Sequence, residues 1–274
     1  MEPTENQNKL AFTRYLYIVN DVKTSLLMAI LNNNVDEALF WCYELYYSGY
    51  ILDVFEMTNN IYNEFYSVFN PHLSLFLDKI QTDWVGKENC DCIIGTMVYN
   101  LINREHSISG FVEKYSNTPF NLVYREMRKP DHKFYVILED KDIAKYKTVE
   151  IGENIRGHQL LKEVSRYATH EYANVIFEHE HSTMPFNELF DIYRYQWLYY
   201  ASYTPIWTER IEKHKGTIDH ETKKIVFSDE ELEEEFYNLY NYEPDEQPMS
   251  IVVKHIGPQN EKKWTWTDFY EKYK

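Results

Sequence analysis

Over most of the chain, hydrophobic positions recur at helical spacing. After Asp21, a candidate cap, Val22, Leu26, Ala29 and Ile30 share one face, and "NNN" turns the chain. Asn34 with Glu37 three residues on has capping-box spacing, in which each side chain satisfies an orphan backbone N–H. Val35, Ala38, Leu39, Cys42, Leu45 and Tyr46 then form one continuous stripe, and Gly49 stands where a left-handed C-terminal position favours glycine. A third helix carries Leu52, Phe55, Tyr62, Tyr66 and Phe69, and Asn70-Pro71 breaks it. A fourth carries Leu73, Phe76, Leu77, Ile80 and Trp84, and a fifth, over 89–104, carries Ile94, Met97, Val98 and Leu101. Five helices joined by short polar turns predict an antiparallel array of αα-hairpins, HEAT-like in helix and loop length.

Further on the pattern is less regular. "HKFYVILED" predicts a strand, and "IRGHQLLKEVSRY" begins as a helix with Leu160, Leu161, Val164 and Tyr167 inward. From Met184-Pro185 an aromatic helix runs through "FNELFDIYRYQWLYYASY", and Thr204-Pro205 opens another. "GTIDHETKKIVF" predicts a β-hairpin turning near Asp219 to Thr222. Ser228 with Glu231 predicts the cap of "DEELEEEFYNLY", "EPDEQP" forces a loop, and a last short helix follows "KKWTWTD". The expected fold is mainly α. It has a polar lead-in at 1–20, the αα-hairpin array at 21–106, a soft linker at 107–130, and a helix-dominated unit at 131–274 with a small β-hairpin near 217–227.

Composition narrows the function. The hydrophobic share of 44% and charged share of 26% suit a folded chain of 274 residues. A net charge of −16 repels phosphate backbones and disfavours direct nucleic-acid binding. Cys42, Cys90 and Cys92 cannot build a disulfide framework. The N-terminus is acidic and polar where a signal peptide is basic then apolar, and no apolar run reaches the roughly 18–20 residues of a membrane span. A cytoplasmic location without membrane contact is expected.

Motifs for nucleotide motors, kinases, dinucleotide enzymes and common hydrolases do not occur: the chain has no glycine-rich phosphate loop and no G-x-S-x-G. In "ATHEYANVIFEHEHSTMPFNE", His179 and His181 share a face if extended, with His170 and Glu188 able to complete a metal set. That set defines a metal-dependent enzyme as one alternative, although His170-Glu171 lacks the second histidine of His-Glu-x-x-His. Cys90-Asp91-Cys92 is a close thiol pair without the second C-x-x-C of a structural zinc site. Trp264 and Trp266 either sandwich a methylated base or pack the last helix. The acids of "SDEELEEEF" read as a solvated helix face or as an attractor for a basic partner.

Tyrosine reaches 25 residues and lysine outnumbers arginine by 20 to 8, a bias that AT-rich codons favour. The helices "ALFWCYELYYSGY" and "DIYRYQWLYYASYTPIW" nevertheless hold more aromatics than one inward face uses. Tyr and Trp are enriched at interfaces, which marks Trp41, Tyr43, Tyr47, Tyr195, Trp197 and Tyr200 as candidate partner-binding residues.

The runs "SLLMAILNNNVDEALFWCYELYYSGY" and "YQWLYYASYTPIWTERI" resemble an uncharacterised protein family of nucleocytoplasmic large DNA (giant) viruses. That resemblance implies a viral source, acting in host cytosol or viral factory, and no catalytic residues. The first run is also similar to the collar helices of clamp loaders, and the helical make-up to HEAT-type translation-initiation scaffold domains. The expected function is a non-enzymatic helical scaffold or adaptor, without cofactor, binding one or more protein partners. A basic partner suits the acidic balance, and the assembly would be a viral gene-expression (translation or transcription) or replication complex. A structural virion component is the other alternative.

Overall fold

Helical spacing of apolar residues places most of the helices. The structure, a computed structural model, describes residues 10–84, 91–117, 119–120, 122, 135–152, 155–177, 184–259 and 262–274. The first helices are α1 (Val19–Leu31), α2 (Val35–Tyr46), α3 (Ile51–Ile61), α4 (Leu73–Trp84), α5 (Cys92–Ile102), α6 (Ser109–Tyr115) and α7 (Asp140–Ile143). There follow α8 (Gly157–Val164), α9 (Phe186–Tyr195), α10 (Trp197–Ala201), α11 (Pro205–Lys213), the strands β1 (Gly216–Asp219) and β2 (Lys224–Phe227), α12 (Glu230–Tyr240), α13 (Met249–Ile256) and α14 (Trp266–Tyr273). Among the described residues the fold is mainly helical with one two-stranded antiparallel hairpin, Gly216 facing Phe227 and Asp219 facing Lys224.

The chain forms two compact units, and neither is continuous in sequence. One comprises 1–25, 44–50 and 148–263, the other 26–43, 51–147 and 264–274. This departs from the expected division at 107–130: α1 and α2 each begin in one unit and end in the other.

In the first unit the described part of the expected polar lead-in is core. Residues 10–19 are all buried, and Phe12 bridges Ile18 around a turn in which Leu16 is left-handed (φ +64°). Their backbone polar groups find partners far along the chain: Thr204 Oγ1 donates to Phe12 O (2.7 Å) and Trp207 Nε1 to Thr13 O (2.9 Å). Thr204 precedes Pro205 at the first position of α11, where a missing N–H costs nothing. Gly49 adopts φ +96°, and a Cβ there would lie 2.5 Å from Pro205 Cβ. Gly49→Ala is therefore expected to lower stability by at least ~1–2 kcal/mol, the left-handed cost alone. An unchanged melting temperature would contradict this.

Two buried polar clusters hold the same unit. Arg14 and Glu44 form an ion pair at 2.9 Å, with side chains 2% and 0% exposed. Glu44 also accepts from Tyr15 N (3.1 Å), and Arg14 Nη1 donates to Thr148 Oγ1 (2.8 Å). The guanidinium lies 4.5 Å and 4.9 Å from the rings of Tyr15 and Tyr47. His255 is fully buried and stacked on Tyr17 (4.1 Å), with Ser165 Oγ 2.6 Å from Nε2 and Tyr193 Oη 3.1 Å from Nδ1. Burial holds its pKa down to about 3.

The second unit packs Val54, Phe55 and Ile61 of α3 with Ile94, Met97, Val98 and Leu101 of α5 in its core. Leu52, expected inward, is 71% exposed, and past Ile61 the helix widens into a π-turn closed by Ser67 N to Tyr62 O (2.9 Å). The expected strand in "HKFYVILED" has no partner strand over its described residues 135–139. Its backbone is bound by helix side chains instead. Val136 N and O pair with the Asn100 amide at 3.1 and 2.7 Å, and Leu138 N donates to Thr96 Oγ1 at 2.9 Å.

Candidate functional site

Of the aromatic residues expected to meet a partner, three are buried. Trp41 (0% exposed) donates Nε1 to Glu37 Oε1 at 3.2 Å. Tyr43 (0%) donates its hydroxyl to Asp91 O at 2.9 Å and stacks on Tyr146 at 5.5 Å. Trp197 lies edge-on to Trp207 at 5.3 Å. These side chains serve cores, and the expectation that they form a contact surface is corrected. The aromatic surplus is absorbed by layers of rings, such as Trp197–Trp207–Tyr242 in the first unit. Tyr47 is half-buried under Arg14. Tyr200 is half-buried, its hydroxyl accepting from Lys223 Nζ at 3.1 Å, and Tyr195 is exposed with Arg194 over its ring.

The expected metal set falls partly outside the described residues, since His179 and His181 are not among them. His170 Nδ1 lies 2.6 Å from the Tyr172 hydroxyl, and Glu188 is exposed in the first turn of α9. Among the described residues no three His, Cys, Asp or Glu side chains are grouped to hold an ion. Cys42 is buried, which pushes its thiol pKa up, and Cys90 lies outside the described residues. Trp266 packs beside Phe111 and Phe269, and Trp264 lies under Lys272.

Two features of the first unit remain. The first is the acidic start of α12. Its N-cap is Asp229, one residue later than expected, with Oδ1 accepting from Glu231 N (2.8 Å) and Leu232 N (3.4 Å). Glu230, Glu231, Glu233, Glu234 and Glu235 follow, all exposed, and among the described residues none of the six acids makes an ion pair. The hairpin anchors beside them, Phe227 packing on Phe236 at 4.9 Å while Val226 on the same strand is 51% exposed.

The second feature is a cleft of about 370 Å³ whose walls come from α11, the end of α12 and the extended segment 148–151. Arg210 lines it, with its guanidinium carbon 4.5 Å from the ring centroids of both Trp207 and Tyr240. Nη1 reaches the Tyr242 hydroxyl only at 3.4 Å. Burial pushes the Tyr242 phenol up to about 12, against the opposing pull of Arg210, so it stays a neutral donor. Lys213, Glu150 and Glu209 lie on the rim, and Val149, Ile151, Ile206 and Leu239 supply apolar wall. A second cleft of about 410 Å³ shares Ile151 and carries Arg156 and His158. Trp207 and Arg210 are one helical turn apart in "PIWTERI", a spacing that signals stacking; Tyr240 and Tyr242 come from beyond the hairpin, and nothing local announces them.

Comparison of the chain with protein-family models, with characterised proteins and with solved structures finds no match.

Proposed function

We propose that the protein is a non-enzymatic adaptor that holds a basic protein partner on the acidic face of α12. The observation that carries this reading is a run of exposed carboxylates that pair with no cation among the described residues. Asp229 caps the helix, and Glu230, Glu231 and Glu233 gain from the positive end of the helix dipole. Glu234 and Glu235 lie one turn beyond Glu230 and Glu231, and each such like-charge pair costs a few tenths of a kcal/mol. A helix that keeps this repulsion on its exposed side is suited to lysines and arginines from outside. Val226 adds an apolar anchor on the adjoining strand, and Tyr200 adjoins the same hairpin through Lys223. Proteins of a gene-expression or replication complex carry basic surfaces for nucleic acid, the natural counterpart of such a face.

The test is a pull-down of the tagged chain with mass spectrometry, beside a variant with Glu230, Glu231, Glu234 and Glu235 all changed to Gln, a good helix former. A basic partner recovered in near-stoichiometric yield, released by salt and at least tenfold depleted by the variant, is expected. A chain that comes down alone at low salt, or a partner indifferent to the four substitutions, overturns the reading. Stoichiometric recovery with a capsid protein from purified particles would replace it with a structural virion role.

A further inference from the structure

An arginine seldom lies half-buried in a cleft wall without a carboxylate, because its five N–H donors need acceptors. Arg210 is such a residue. Trp207 and Tyr240, nearly perpendicular to each other (79°), flank it on adjacent sides at 4.5 Å, while its edge has one long contact among the described residues, to the Tyr242 hydroxyl. Among the described residues no acid makes an ion pair with it, Glu209 next to it and Glu150 across the cleft included. The corner made by the two rings, with the Tyr242 hydroxyl beside it, holds the guanidinium in place. A planar fork held in place is prepared for two parallel hydrogen bonds to an oxyanion.

We propose that this cleft binds a small organic anion, one carboxylate or phosphate group on an apolar body, with Arg210 as the anion-reading residue. The Tyr242 hydroxyl stands beside the fork and can donate to the same group. Lys213 adds a second positive charge at the rim. Val149, Ile151, Ile206 and Leu239 line the space that the body of the ligand fills. The cleft, about 370 Å³, is at the lower end of the range for small-molecule sites, which fits a ligand of one or two rings. In a chain of net charge −16, general attraction cannot bring an anion here, so recognition rests on the local fork. This inference does not depend on the acidic face of α12.

Four probes separate headgroup from body when titrated into the intact protein: benzoate, phenyl phosphate, benzyl alcohol and inorganic phosphate. The readout is the chemical shift of the Trp207 indole N–H and the Arg210 Nε–H. Saturable binding of benzoate, phenyl phosphate or both is expected, at least tenfold tighter than benzyl alcohol or inorganic phosphate. The ratio of the first two identifies the headgroup. Arg210→Gln should weaken the bound anion at least tenfold, and Arg210→Lys should restore only part, since a point charge lacks the fork. If Arg210→Gln fails to fold, Leu239→Trp fills the cleft with Arg210 unchanged and should abolish binding. Failure of every probe to bind would overturn the proposal and leave Arg210 a packing residue. So would benzyl alcohol binding as tightly as the anions, or binding that survives Arg210→Gln or Leu239→Trp in a folded protein.

Discussion

Changing Glu44 to Gln is expected to destabilise the protein by about 3–5 kcal/mol, the cost of breaking a buried ion pair by removing one partner. The substitution keeps the shape of the side chain and can still accept from Tyr15 N, so the loss isolates the charge. Arg14 is 2% exposed and Glu44 pairs with it at 2.9 Å, while the Thr148 hydroxyl and the rings of Tyr15 and Tyr47 also contact it. Arg14→Met should cost a similar amount, because it strands the Glu44 carboxylate instead. The double variant should be more stable than either single one, since neither charge is then left alone. Urea denaturation of the four proteins measures this cycle. Additive losses would show that the two side chains are not coupled, against the geometry.

Acidification is expected to weaken the protein through His255 before carboxylates begin to titrate. Its folded pKa of about 3 is below the ordinary histidine value of 6.5, so the unfolded chain takes up a proton that the folded chain refuses. The stability it contributes is complete above pH 6.5 and is lost as pH falls from 6.5 toward 3, at up to ~1.4 kcal/mol per unit. Tyr17, Tyr193 and Ser165 surround the ring and supply no anion, and Lys254 opposes a positive charge there. Between pH 6.5 and 5 the loss should be about 1.5–2 kcal/mol. His255→Gln should be less stable at pH 7 yet lose less over that interval. Parallel curves for the two proteins would mean that His255 takes no part.

What was legible in the sequence was local. Asn34 and Glu37 do face each other, the Glu37 N–H donating to Asn34 Oδ1 at 3.3 Å and the Asn34 amide to Glu37 Oε2 at 2.9 Å. Asp219 does close the hairpin turn, its Oδ1 accepting from Glu221 N at 2.9 Å. Each signal lies within a few residues, where geometry follows from spacing. Misread features depend on distant partners. Asp21 looks like a cap, but its carboxylate is bound by Asn174, far along the chain. The 186–203 helix breaks at Gln196 (φ −128°), and α13 went unforeseen behind the loop signal of Pro248, which stands as its N-cap. Trp41 and Trp197 look surplus because their neighbours in the helix are also aromatic; both are buried, Trp197 by the rings of Trp207 and Tyr242, which no local pattern announces. The Arg210 cage was equally hidden, for only Trp207 shares its helix.

The interleaving of the two units bears on how the chain is made. Phe12 O waits for the Thr204 hydroxyl, and Thr13 O, which accepts from Leu16 N within its turn at 3.0 Å, waits for a second donor in Trp207, partners 192 and 194 residues later. A ribosome adding about 5–20 residues per second needs roughly 10–40 s to supply them. During that time "LAFTRYLYI" is outside the exit tunnel with its apolar side chains unmatched. The nascent chain therefore presents a sticky amino-terminal segment through most of its synthesis, and a holding chaperone at that segment is the expected companion of its translation.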